Sequence, residues 1–206
     1  DSVEANERIR IKLVGISQKN ALEQPIQVKS IDEKGNPTDK DVRFFDFENP
    51  ENNDYLVTNQ FKLVGLKGSI ECDVVVFVNG IPLVVIECKK PTSSDFLQDA
   101  FDQNFTRYQG EKSGFEKLFF YNHMLVATCG IAAKYGTIQS GPSFFSKWSD
   151  PYPMKIGELE KLCNRTPSPQ DILLAGILNK KNLLNMLENF VIYQTMDNKL
   201  VKLVSK

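Results

Sequence analysis

Two long apolar runs stand close together in the chain: VVVFV at 74–78 and LVVI at 83–86. Uninterrupted runs of this length predict strands covered on both faces of a sheet. Asn79-Gly80 between them predicts a turn. The strands, about 72–78 and 82–89, then form a hairpin that Pro91 terminates. Upstream, YLVTNQFKLVG (55–65) reads as a further strand after a loop at NPENND (49–54). PIQVKSI and DVRFFDF alternate on either side of IDEKGNPTDK and predict a hairpin whose turn covers 31–40. Residues 1–24 carry a polar helical spacing through Ile9, Leu13 and Ile16.

Downstream, Ser93, Ser94 and Asp95 form a capping cluster for a helix expected to run to Gly110. Phe96, Ala100, Phe101, Phe105 and Tyr108 give it an apolar side. HMLVATCGI (123–131) predicts a strand, and residues 136–154, rich in Gly, Ser and Pro, predict a loop. From Gln170 to about Tyr193 the Leu-rich pattern predicts one helix or a pair. A mixed α/β domain with a central sheet is the expected class.

Bulk properties narrow the function little. At 206 residues the chain is long enough for one sizeable core, and 41% hydrophobic with 25% charged residues is ordinary for a globular protein. The net charge of −1 does not advertise nucleic-acid binding, so any DNA contact needs a local basic face or a partner. Cys72, Cys88, Cys129 and Cys163 form no CxxC pair, and His123 is the single histidine, which argues against zinc. Free, buried thiols suit a reducing compartment, and no membrane span or signal pattern is seen, so a cytoplasmic location is expected.

The candidate chemistry lies in the hairpin. Asp73, Glu87 and Lys89 are charged positions on strands that otherwise read as core. Carboxylates there are costly unless paired, hydrogen-bonded or bound to metal. Mg²⁺, which prefers a few carboxylate oxygens plus water, removes the repulsion between two of them. Glu87 and Lys89 share a strand face by alternation. A plain two-residue turn at Asn79-Gly80 would put Asp73 and Glu87 on opposite faces. A three-residue loop, or a bulge at Gly80, would put them on the same face. If they converge, Asp73, Glu87 and the backbone carbonyl of Cys88 hold Mg²⁺, with Mn²⁺ as substitute. Lys89 then orients the attacking water or helps to deprotonate it. The competing reading is a pair of solvated charges at the sheet rim.

The triplet and its context, NDYLVTNQFKLVG, ECDVVVFVNGIPLVVIECKKP, DAFDQNFTRY and HMLVATCGIAAKYGTI, resemble the PD-(D/E)xK nucleases. More narrowly, they resemble the N-terminal endonuclease domain of the restriction (R, or motor) subunit of type I restriction enzymes. The resemblance covers roughly 41–195. It implies a restriction-endonuclease-like core at about 41–138 within a domain spanning 1–155. Residues 156–206 would be a helical connector toward a helicase motor. It also implies cleavage of double-stranded DNA in a complex with methyltransferase and specificity subunits. ATP would act only through the motor, because the chain has no GxxxxGK[ST] phosphate loop and is expected to be a fragment.

Cys72 stands where the signature favours Pro. The family's Gln-x-x-x-Tyr pair maps to Tyr108 and either Gln103, by flanking sequence, or Asn104, by helical spacing. Lys90 is a candidate phosphate contact. An upstream Glu ligand is open among Glu4, Glu7 and Glu23. A non-cleaving scaffold of the same fold and a stand-alone nuclease such as a junction resolvase remain as alternatives.

Overall fold

The computed structural model describes residues 26–65, 68–102, 115–138, 140–196 and 199–204. The expected N-terminal helical pattern and the later part of the expected helix to Gly110 lie outside these residues. A hairpin of β1 (Ile26–Ile31) and β2 (Pro37–Val42) comes first. The main sheet follows, with β3 (Tyr55–Gly65), β4 (Gly68–Val78), β5 (Ile81–Cys88), β6 (Met124–Thr128) and β7 (Ala133–Gly136) side by side in that order. Its pairs are antiparallel except β5–β6, which is parallel. That crossover contains α1 (Phe96–Ala100) and α2 (Glu116–Tyr121). Then come α3 (Ile156–Cys163), α4 (Pro169–Ile177), α5 (Lys180–Asn185) and a π-turn at Met186–Phe190. A hairpin of β8 (Val191–Met196) and β9 (Lys199–Val204) ends the described chain. Among the described residues this is a mixed five-stranded sheet flanked by helices, the expected α/β class.

Several boundaries differ from expectation. The second strand of the first hairpin is PTDKDV, not DVRFFDF. Asp32 sets the shorter turn: its Oδ1 accepts from the Lys34 and Asn36 amides, and Gly35 takes φ +83. The Phe-rich segment is released to pack, and Phe45 is only 3% exposed. Of the capping cluster, Asp95 caps α1 by accepting from the Gln98 amide. The short strand β7 and helix α2 are too brief for periodicity to mark them, whereas α3 lies outside the expected elements although Ile156, Leu159 and Cys163 keep helical spacing. The Leu-rich stretch resolves into α4, α5 and the π-turn.

The sheet has two apolar faces. On one, Val76, Val78, Leu83, Val84, Ile86 and Val126 pack against Leu173, Ile177, Leu183 and Leu184 of the C-terminal helices. On the other, Val75, Val85, Leu125 and Ala127 pack under Leu97, Ala100 and Leu118 from the crossover. Burial on both faces explains the unbroken apolar runs.

Helix α4 begins with a capping box in which Ser168 and Asp171 serve each other's amides. Arg165 donates two hydrogen bonds to the Asp171 carboxylate. Burial pushes the Asp171 carboxyl up, but the hydrogen bonds from Arg165 and Ser168 outweigh it and hold it below the usual range. A depressed carboxyl stabilises the fold above its unfolded pKa of about 4, and the contribution is lost as pH falls through the folded value. Asp171→Ala is expected to cost about 1 kcal/mol at pH 7. The gap in melting temperature from the unaltered chain should close as pH falls below about 4. A gap that stays unchanged as pH is lowered from about 4 to about 2 would show that the loss is not ionic.

Candidate active site

The turn at Asn79-Gly80 is a two-residue one, with both residues at positive φ (52 and 78) and Val78 paired to Ile81. The expected bulge is present but not at Gly80. Phe77 pairs with Pro82, whereas Val76 pairs with Val84, so Leu83 is the extra residue. Pro82 has no amide to give the ladder, which loosens pairing at this point. Leu83 and Val84 consequently sit in the same core cluster although they are sequence neighbours. The Leu83 carbonyl accepts from the His123 amide at 2.8 Å.

Beyond the bulge the register runs Val76–Val84, Val75–Val85 and Val74–Ile86. Continued one step, it sets Asp73 across from Glu87. Asp73 also lies at a kink. Cys72 and Val75 both belong to the cluster under the crossover, and Gln60 on the neighbouring strand has φ +49 between the pairs Asn59–Val74 and Phe61–Cys72. The Asp73 carboxylate leans toward β5, where Oδ2 accepts from the Cys88 amide at 2.7 Å.

Glu87 is 1% exposed, and its Oε1 lies 2.6 Å from Lys89 Nζ. Burial of a carboxylate demands such a partner. Both carboxylates also act on the thiols beside them. Burial first, then Glu87 and Asp73, pushes Cys72 up to about 12. Cys88 is exposed at the strand end, yet loss of hydration around its thiol, then Asp73 and Glu87, raise it against the opposing Lys89 ammonium. Two carboxylates and one ammonium therefore share the end of the β4–β5 pair.

A cleft of about 730 Å³ opens beside them, lined by Cys88, Lys89, Lys90, Thr92, Ser93, Asp99 and Asp102. Lys90 thus stands next to Lys89 on the same opening. Gln103, Asn104 and Tyr108 lie outside the described residues, as do Glu4, Glu7 and Glu23. His123 is buried, its Nδ1 2.8 Å from the Tyr121 carbonyl, as suits a packed residue.

Among the described residues no group of three His, Cys, Asp or Glu side chains is placed to hold a metal ion. Two carboxylates and a backbone carbonyl, all hard oxygens, fit Mg²⁺, which keeps several of its waters. Lys89 holds Glu87 in an ion pair, so a cation at this carboxylate would have to take the place of the ammonium. Thr128 was not singled out from sequence. It is 2% exposed, pairs with Cys88, and its carbonyl accepts from the Lys89 amide at 2.7 Å. Nothing in the string HMLVATCGI distinguishes it from other strand residues.

A mixed sheet with acidic and basic groups at the end of its central hairpin is the arrangement of a restriction-endonuclease-like domain. Residues 4–144 match the family described as type I restriction enzyme R protein N terminus, and the chain belongs to that family. It is 34% identical over 158 residues to the type I restriction enzyme HindI endonuclease subunit of Haemophilus influenzae, covering 74% of this chain and 14% of that protein. It is 32% identical over 175 residues to the protein assigned as the type I restriction enzyme MjaIXP endonuclease subunit of Methanocaldococcus jannaschii, covering 78% of this chain and 16% of that one. The chain therefore spans about a sixth of the length of these relatives. Among the described residues, no helix is long and apolar enough to cross a membrane.

Proposed function

We propose that this chain is the nuclease module of a type I restriction subunit and hydrolyses phosphodiester bonds of double-stranded DNA with a divalent metal. The observation that carries the reading is the meeting of Asp73, Glu87 and Lys89 at one strand end, brought there by the Leu83 bulge. Family membership supports it, and so do the names of the relatives.

Asp73, Glu87 and the Cys88 carbonyl would hold Mg²⁺ or Mn²⁺. When bound, the ion supplies Lewis acidity toward the scissile phosphate and lowers the pKa of water. The protein's own groups do the rest. Lys89, freed from Glu87, orients the attacking water, takes part in its deprotonation and offsets charge that develops on the phosphate. Lys90, which lines the cleft, contacts the DNA backbone, and Gln103 and Tyr108 are proposed as further DNA-binding residues by their match to the family's Gln-x-x-x-Tyr pair. Methyltransferase and specificity subunits are the proposed partners. ATP would be used by a motor to which residues 156–206 connect, in the cytoplasm.

Titration of the chain with Mn²⁺, followed by calorimetry, tests the site without requiring cleavage. One ion per chain is expected, with binding lost in both Asp73→Ala and Glu87→Ala. Equal binding by all three proteins would leave the carboxylates without a metal role and favour the scaffold reading.

A further inference from the structure

The site is tied to the C-terminal helices through one side chain on each part. Gln170 is in the first turn of α4, and its Oε1 lies 2.6 Å from Thr128 Oγ1. That hydroxyl also lies 3.0 Å from the Ala132 carbonyl and accepts from the Gly130 amide at 3.3 Å. Thr128 is 2% exposed, so its hydroxyl is placed by these partners and not by water. The main chain of the same residue faces the site: Thr128 pairs with Cys88, and its carbonyl holds the Lys89 amide at 2.7 Å. Cys88 in turn donates its amide to Asp73. Gln170 thus stands two contacts from Lys89 and touches none of Asp73, Glu87 or Lys89 among its described hydrogen bonds.

The position of Gln170 is itself fixed. The capping box of Ser168 and Asp171 and the paired hydrogen bonds of Arg165 bracket it on both sides. The α4 segment also rests on the sheet through Leu173 and Ile177, both fully buried. Beside Gln170, Gly130 takes φ +84, a conformation that keeps the turn after β6 tight and brings it near the Pro91 ring that follows Lys90. The turn, the end of β6 and the Lys89–Pro91 segment are therefore packed as one unit with the start of α4.

We infer that Gln170 is a positioning residue for the cleavage reaction: through Thr128 it holds the β6 end against which Lys89 is aligned, and so makes the alignment of Lys89 depend on the C-terminal helices. The inference rests on the proposed nuclease reading. Lys89 must place a proton-transfer group and a positive charge within a fraction of an ångström of its working position, and misplacement of about 1 Å can cost about a hundredfold in rate. A contact that sets the backbone of its strand partner is the kind of support such a residue needs.

The test uses the full-length subunit assembled in its restriction complex, with Gln170→Leu, Thr128→Val and the double variant. Thr128→Val keeps the shape of the side chain and replaces the hydroxyl with a methyl group. The expected result is an approximately tenfold fall in the maximal cleavage rate for each single variant, with the KM for DNA and the rate of ATP hydrolysis unchanged. The double variant should be no slower than Thr128→Val alone, because losing the hydroxyl already removes the contact with Gln170 along with those to Ala132 and Gly130. Amide nitrogen–proton spectra of the chain should show the Cys88 and Lys89 signals shifted in Gln170→Leu. Glu87→Ala serves as control. If it is inactive while Gln170→Leu cleaves at the full rate, or if the two single losses multiply, Gln170 only braces the fold and the inference is overturned. If Glu87→Ala still cleaves, the nuclease reading itself fails, and the role of Gln170 fails with it.

Discussion

Glu87→Gln in the full-length subunit is expected to lower DNA cleavage by about a thousandfold or more while leaving ATP hydrolysis intact. A thousandfold is about 4 kcal/mol of transition-state stabilisation, which is within what loss of a metal-binding oxygen can remove. The substitution keeps the side-chain volume at a position only 1% exposed, so the packing around Val85 and Ala127 is preserved. Asp73→Asn should do the same by withdrawing the carboxylate that lies against the Cys88 amide. Linearisation of a circular plasmid carrying the recognition site measures the effect. Cleavage within a few-fold of the parent for either variant would remove Asp73 or Glu87 from the chemistry, whatever the family says.

The second large effect concerns stability. Lys89 places its ammonium 2.6 Å from a carboxylate that has almost no access to water. Removing one partner of a buried pair costs about 3–5 kcal/mol, because the remaining charge is stranded. The Lys89 side chain is 14% exposed, so a smaller penalty of about 2 kcal/mol is expected for Lys89→Met. Thermal unfolding would fall by several degrees, at about 2–4 °C per kcal/mol for a chain of this size. Mn²⁺ should return most of that loss, since a bound cation replaces the missing ammonium beside Glu87. The rise in melting temperature on adding Mn²⁺ is therefore larger for Lys89→Met than for the parent chain. An equal rise in both would show that the ion does not reach Glu87.

Much of this was written in local pattern. The apolar runs at 74–78 and 83–86 announced doubly covered strands, and the charges at 73, 87 and 89 stood out against them. Asn79-Gly80 marked the turn correctly because both positions need positive φ. The location of the bulge was less legible. Gly80 was the residue conformationally suited to it, but the deciding factor was the missing amide of Pro82, which shifts the irregularity to Leu83. In the first hairpin, alternation in DVRFFDF suggested a strand, yet the side chain of Asp32 closed the turn early and left Phe45 for the core. Contacts between segments distant in sequence, such as Thr128 with Gln170, leave no trace in spacing at all. They depend on where α4 comes to rest on the sheet, which is a property of the packed core.

The extra residue at Leu83 also sets a rule for how this hairpin can vary. Strand faces alternate, so a gain or loss of one residue between Asp73 and Glu87 would turn one carboxylate away from the other. Such a change is tolerable only if a bulge is lost or gained with it. Insertions of two leave the faces matched and merely lengthen the turn. Among kindred sequences, then, the gap between the two acids should drift in even steps, and an odd step should coincide with the loss of the proline or of the doubled apolar pair that follows the turn.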